Sequence, residues 1–193
     1  MESIKSRIDK NAQVVAVIKT DGYGHGAAQI ARVLEPDEQV WGYAVATAEE
    51  AFSLREHAIR KPILILGYTF PYSYEKLINE DVRMAVFMDD VAQRLGDVYK
   101  RQVCKVHVKV DTGMTRIGIR PDAEGIAFVD RLSKLPGIEI EGIFTHFATA
   151  DEKDRSKTRK QYEDFCDFTE KIESELKLHI PMKHCAKSAS MVE

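Results

Sequence analysis

The chain has 193 residues, 44% of them apolar and 31% charged, with 28 Lys plus Arg against 31 Asp plus Glu and a net charge of −3. That balance belongs to a globular protein with a full core. It excludes the basic stripe of a nucleic-acid binder, and the longest apolar runs are too short to span a bilayer. Cys104, Cys166 and Cys185 are widely spaced and odd in number. They suit free thiols in a reducing compartment, and residues 1–10 hold no apolar leader, so the expected location is the cytoplasm.

Strand and helix patterns alternate from end to end. Residues 13–19 (QVVAVIK) read as a buried strand, followed by a helical i, i+3, i+4, i+7 pattern at Ala27, Ile30, Ala31 and Leu34. A second strand covers 40–45. Thr47 and Glu50 form a capping box that opens a helix over 48–59, because Thr47 bonds the third helical amide while Glu50 reaches back. Strands three and four cover 62–66 and 82–87, and Asp89 or Asp90 caps a short helix to Leu95. Strand five covers 104–110. Pro121 and Asp122 open a helix over 123–135 that Pro136-Gly137 stops. Strand six covers 138–145. The longest helix lies within 154–177, with Tyr162, Phe165, Cys166, Thr169, Ile172 and Leu176 as its apolar stripe. A weaker seventh strand covers 179–184.

Near-continuous apolar strands joined by helices predict a parallel α/β sheet, either open and doubly wound or closed into a (β/α) barrel. A complete (β/α)8 barrel needs at least ~200 residues. Seven strands in 193 residues fit a barrel just short of complete, treated as one domain over 1–193.

Four clusters carry chemistry. The first is AVIKTDGYGHG at 16–26, where an apolar strand ends in Lys19 and Gly22, Gly24 and Gly26 lead into a helix. A lysine at the carboxyl end of a buried strand points into the site of either architecture and suits a nucleophilic amine, while the glycines and helix amides suit an anion. A plain glycine-rich turn with a solvated lysine explains the same residues equally well. The second is VKVDTGMTRIG at 108–118, preceded by His107. His107, Lys109 and Asp111 alternate on one strand face, and Arg116 follows on the loop. A Lys109–Asp111 pair is the bland alternative. The third, GIFTHFATAD at 142–151, puts His146 at the end of strand six. The fourth, HCAKSAS at 184–190, offers Ser188 and Ser190 as phosphate ligands or as a helix cap. His25, His146 and His184 lack metal-site spacing, so no metal is expected.

Together these four segments resemble the alanine racemases, in order and spacing, over nearly the whole chain. The resemblance implies an N-terminal barrel that binds pyridoxal 5′-phosphate (PLP), acts on alanine to supply D-alanine for peptidoglycan, and works as a homodimer. In that family a β-domain of the partner completes each site. It implies that Lys19 carries PLP and serves as one of two acid–base groups, and that Tyr23 and Ser188 contact the phosphate. Arg116 would face the cofactor oxygen and the substrate carboxylate, Met114 the substrate, and His146 the cofactor ring. Lys109 matches a lysine often carbamylated, which then holds the arginine. Against the family pattern, the eighth strand and C-terminal β-domain are missing, so a fragment that binds PLP weakly and racemises poorly alone is expected. Lys187 stands where Asn is usual, Thr20-Asp21-Gly22 replaces Ala-Asn/Asp-Ala, and Thr115 stands where Gly is common. Competing expectations are a PLP-binding barrel without racemase activity, a racemase for another amino acid such as serine, a PLP decarboxylase, and a barrel kept only for interaction.

Overall fold

The structure is a computed structural model that describes residue 4 and residues 6–98 and 103–185. Seven parallel strands form one sheet in sequential order: β1 (Val14–Val17), β2 (Val40–Val45), β3 (Ile63–Ile65), β4 (Val82–Val86), β5 (Cys104–Lys109), β6 (Ile138–Phe144) and β7 (Met182–His184). The helices between them are α1 (Ala27–Leu34), α2 (Ala48–Glu56), α3 (Tyr74–Asn79), α4 (Asp89–Val98), α5 (Ala123–Ser133) and α6 (Ser156–Leu176). This sequential parallel order is that of a (β/α) barrel lacking a strand, not of a doubly wound sheet, whose strand order reverses at a switch point.

Burial explains the order. β3 and β4 are buried throughout, whereas β1 and β7, at the two sheet edges, are half-buried or exposed at most positions. Alternate strand residues Val82, Met84, Val86, Val106 and Val108 pack outward in a core with Leu54, Leu77, Leu95, Phe128, Val129 and Leu132. The other face is polar, with Arg83, His107 and Lys109 all buried.

Two helices, α2 and α5, begin where the caps predict. Thr47 and Glu50 complete the capping box of α2, and Asp122 Oδ1 accepts from the Gly125 amide at α5. Four differences stand out. β1 stops at Val17, so Lys19 lies just beyond the strand. β7 is shorter than expected, because only Met182–His184 find partners on β6. α3, and a 3-10 turn at Pro71–Ser73 before it, had no signal, being too short for a period to register. Tyr162 lies 52% exposed instead of in the apolar stripe, and Phe168 takes the buried place.

One irregularity shapes the interior. Between Val106↔Ile140 and His107↔Gly142 the β5–β6 register slips, so Glu141 is an extra residue on β6. The bulge re-aims its carboxylate to the polar face, and Gly142 gives the adjacent His107 ring its room. A Cβ on Gly142 would lie 2.5 Å from His107 Nδ1 and 2.7 Å from Cε1. That ring is fully buried and bonded at both nitrogens. Gly142→Ala is therefore expected to cost about 1–3 kcal/mol by overpacking, measured as a lower urea midpoint. A midpoint equal to that of the parent chain would mean that the ring moves freely.

Candidate active site

The carboxyl ends of β1, β5 and β6 carry the three most informative motifs. After Ile18 the chain makes a left-handed turn in which Thr20, Asp21, Gly22 and Tyr23 all have φ between 50° and 63°. Such a conformation costs about 1–2 kcal/mol for each residue bearing a Cβ, and Thr20, being β-branched, is the least suited. Fixed contacts offset the cost. The Gly22 amide donates to Ile18 O (2.9 Å) and the Gly26 amide to Asp21 O (2.9 Å). Asp21 Oδ1 accepts from the Ala27 amide at the start of α1 (2.8 Å), and Glu50 Oε1 accepts from the Thr20 amide (2.6 Å). Lys19 is half-buried at the start of this turn, and Tyr23 is 59% exposed.

At the end of β5, Lys109 is buried and donates to the Val110 carbonyl. Burial pulls its amine down to about 8, with Asp111 opposing and Arg116 adding to the shift. The alternative of a Lys109–Asp111 pair is not realised, and among the described residues no carboxylate comes within ion-pair distance of Lys109. Asp111 lies past the strand, where its Oδ1 accepts from the amides of Gly113, Met114 and Thr115 (2.9–3.0 Å). It thereby builds the loop that presents half-buried Met114 and exposed Arg116. Thr115 has φ 60°, a left-handed conformation that favours glycine.

His146 follows β6 and is half-buried. A polar clasp with no motif of its own joins its loop to that of Asp111. Gln161 on α6 is 1% exposed. Its Oε1 accepts from the Ala148 amide (2.9 Å), while Nε2 donates to Thr112 Oγ1 and His146 O (both 3.4 Å). Thr112 and Thr145 share a hydrogen bond of 2.8 Å, and Thr145 donates to Val110 O. The clasp's one signal in the sequence is phase: Gln161 lies four residues before Phe165 and seven before Phe168, on the apolar face of α6. Ser188 and Lys187 lie outside the described residues.

Below these loops runs a buried chain of polar groups. Glu141 accepts from Arg83 Nε (2.9 Å), Arg83 Nη2 (3.2 Å) and His107 Nε2 (3.2 Å). Burial pushes its carboxyl up, but the hydrogen bonds from His107 and Arg83 together prevail and hold it at about 2. Burial keeps His107 below the ordinary histidine range. A neutral His107 that donates through Nε2 has a lone pair at Nδ1, so it accepts from His184 Nε2 at 2.9 Å. His184 stacks on Phe144 at 4.8 Å, and burial, with the nearby His107 and Lys109, lowers it to about 3.

These shifts share one sign. Between pH ~6.5 and about 3 the unfolded chain takes up protons that folded His184 refuses. Glu141 does the same between about 4.5 and 2. Stability from both is complete above pH ~6.5 and falls as the solution is acidified, more steeply below 4.5. Urea midpoints at pH 7.5, 6 and 5 check this, and a flat series would contradict it.

A depression of about 460 Å³ at the opposite, amino-terminal ends of β3 and β4 is lined by Arg55, Arg60, Glu80 and Asp81. The Arg55 guanidinium there already serves the carbonyls of Ile59, Lys61, Glu80 and Asp81, a structural role.

Comparison with known proteins agrees with this fold. The family profile described as alanine racemase, N-terminal domain, matches residues 1–193. The chain is 40% identical to an alanine racemase of Desulforamulus reducens, covering 100% of this chain and 52% of that one. It is 39% identical to one of Clostridium tetani, with coverages of 100% and 50%. Among solved structures it superposes on alanine racemase of Clostridium difficile 630 in complex with cycloserine, with TM-score 0.94 and 38% identity over 98% of this chain and 52% of that one. It also superposes on the Bacillus anthracis enzyme with bound L-Ala-P, with TM-score 0.87 and 34% identity, covering 98% and 49%. The chain thus spans about half the length of these relatives.

Proposed function

Since this chain belongs to the alanine racemase N-terminal domain family, we propose that it is the cofactor-binding half of a PLP-dependent racemase interconverting L- and D-alanine. The observation that carries the reading is the gathering of Lys19, Lys109, Arg116 and His146 at the carboxyl ends of one parallel sheet, where (β/α) barrels keep their sites.

The residues fit such a cofactor. Lys109 buries an amine with three protons to place and a single backbone carbonyl among its described acceptors. That shortfall of acceptors favours conversion of the amine to an anion, and exposed Arg116 on the next loop supplies positive charge that suits an anionic ligand. When bound, PLP supplies an electron sink for the carbanion left when the substrate loses its Cα proton. Lys19 Nζ would hold the cofactor and, when its amine is free, would exchange that proton on one face. Arg116 holds the cofactor oxygen and the substrate carboxylate, Met114 bounds the substrate, and His146 orients the ring. Tyr23 and Ser188 hold the phosphate.

Lys109, drawn toward its neutral form at about 8, is the proposed carbamate. Its nitrogen adds to carbon dioxide and loses a proton, and the resulting anion faces Arg116. A base for the second face of the substrate belongs to the part of the longer relatives that this chain does not span, within a homodimer. The exposed Tyr68, Phe70 and Tyr72 beyond β3, with Tyr68 edge-on to Phe70 and Phe70 stacked on Tyr72, support a covering partner domain. The proposed setting is the cytoplasm, in keeping with three free thiols.

The test is formation of D-alanine from L-alanine by the chain alone and after addition of a complementary C-terminal half from a relative. Turnover that appears or rises strongly with the added half is expected. PLP attachment without racemisation in either case would leave a cofactor-binding barrel of another function.

A further inference from the structure

We propose that Glu50 is a positioning residue for Lys19, whose carboxylate fixes the left-handed turn from which that lysine projects. The inference rests on the reading of Lys19 as the reactive amine. Three positively twisted residues with side chains, Thr20, Asp21 and Tyr23, follow Lys19 directly. A turn of that kind persists only where its surroundings over-determine it. Several of its ties are local, between residues 18 and 27. Glu50 instead reaches in from α2, thirty residues away, and its Oε1 accepts from the Thr20 amide at 2.6 Å. Its Oε2 accepts from the Ala46 amide at 2.7 Å and, more weakly, from Thr47. The carboxylate thus clamps the loop after β1 to the loop after β2, one residue from Lys19.

Both oxygens face N–H donors, which makes the requirement chemical as well as steric. A glutamine has the same shape, yet it must turn its NH2 toward a backbone N–H on one side. Either the Thr20 bond or the Ala46 bond is lost. The capping box explains only the weaker Thr47 contact, since a cap needs nothing from Ala46 or Thr20. Thr47→Ala separates the two roles. It removes the Thr47 oxygen that accepts from the Glu50 amide and leaves the Glu50 carboxylate in place.

The experiment compares the parent chain, Glu50→Gln and Thr47→Ala by two readouts. Hydrogen exchange is followed amide by amide over 18–24 and over α2. In parallel, the PLP concentration needed to half-saturate borohydride-reducible labelling at Lys19 is measured by peptide mapping. Glu50→Gln is expected to speed exchange in the turn by about tenfold or more, the loss of a hydrogen bond to a charged acceptor. It is expected to raise the half-saturating PLP concentration by a similar factor. Thr47→Ala is expected to loosen the first turn of α2 while leaving the Lys19 turn and its labelling unchanged.

Parent-like behaviour of Glu50→Gln, or equal effects of the two variants on the turn, overturns the proposal. If Glu50→Gln does not fold, the parent chain decides: the Thr20 amide must be protected, and rapid exchange there overturns the clamp. If the folded parent takes up no PLP at Lys19, the proposed function fails while the exchange comparison still decides the role of Glu50.

Discussion

Lys19→Ala is expected to abolish borohydride-reducible attachment of PLP at this position and to lower racemisation by the complemented protein by at least about 10²–10⁴-fold. The fold should survive. The bonds that hold the turn run through backbone atoms and the Asp21 and Glu50 side chains, and none of them uses the Lys19 amine. A change in unfolding free energy within about 0.5 kcal/mol is therefore expected without cofactor. Peptide mapping after reduction tells the outcomes apart. Label that moves to Lys109 in the variant would show that the site accepts either amine. Undiminished racemisation would remove Lys19 from the chemistry.

The largest expected effect on stability lies in the barrel interior. Glu141→Ala takes away the acceptor shared by Arg83 and His107, whose side chains are 5% and 0% exposed. Arg83 keeps Asp81, with an Nη1 to Oδ2 distance of 2.8 Å, but that carboxylate is largely exposed. Leaving one partner of a buried ionic group uncompensated costs about 3–5 kcal/mol, which for a chain of this length corresponds to a melting point lower by on the order of 10 °C. The effect should reach upward as well. Without Glu141 the Nε2 proton of His107 has no acceptor, and the hydrogen-bond direction that sets His184 is released. The double variant Arg83→Met/Glu141→Leu is expected to recover much of the loss, because it removes both charges together. Urea unfolding of the single and double variants measures this coupling. A single variant that costs less than about 1 kcal/mol would show that water already reaches the cluster.

Much of the fold is legible in the residues. Most of the strands were readable because they lie in short apolar, largely β-branched runs, the composition that separates strand from helix, whereas β7, only Met182–His184, carried the weakest signal. Thr47, Glu50 and Asp122 announced helix starts through a local rule, since a cap and its helix lie within one turn of chain. The positions of Lys19, Arg116 and His146 at strand ends were readable for the same reason. Once the strands run parallel, every residue just beyond one falls on the same face of the sheet.

Other features depend on partners distant in sequence. Glu50 looked like half of a helix cap, and only the packing of two loops revealed its bond to Thr20, thirty residues back. Asp111 looked like the partner of Lys109 on a shared strand face. The strand ends at Lys109, however, and three loop amides claim the carboxylate instead. Glu141 alternates with nothing until the register slips by one residue, a consequence of how two strands meet. The parallel sheet, the helix starts and the face on which the reactive groups collect are thus legible in the residues, because these follow from patterns a few residues long. Tertiary structure alone decided which charges are paired, which way the buried histidines donate, and what holds Lys19 in place. Those depend on distance, and distance between residues far apart in the chain exists only once it has folded.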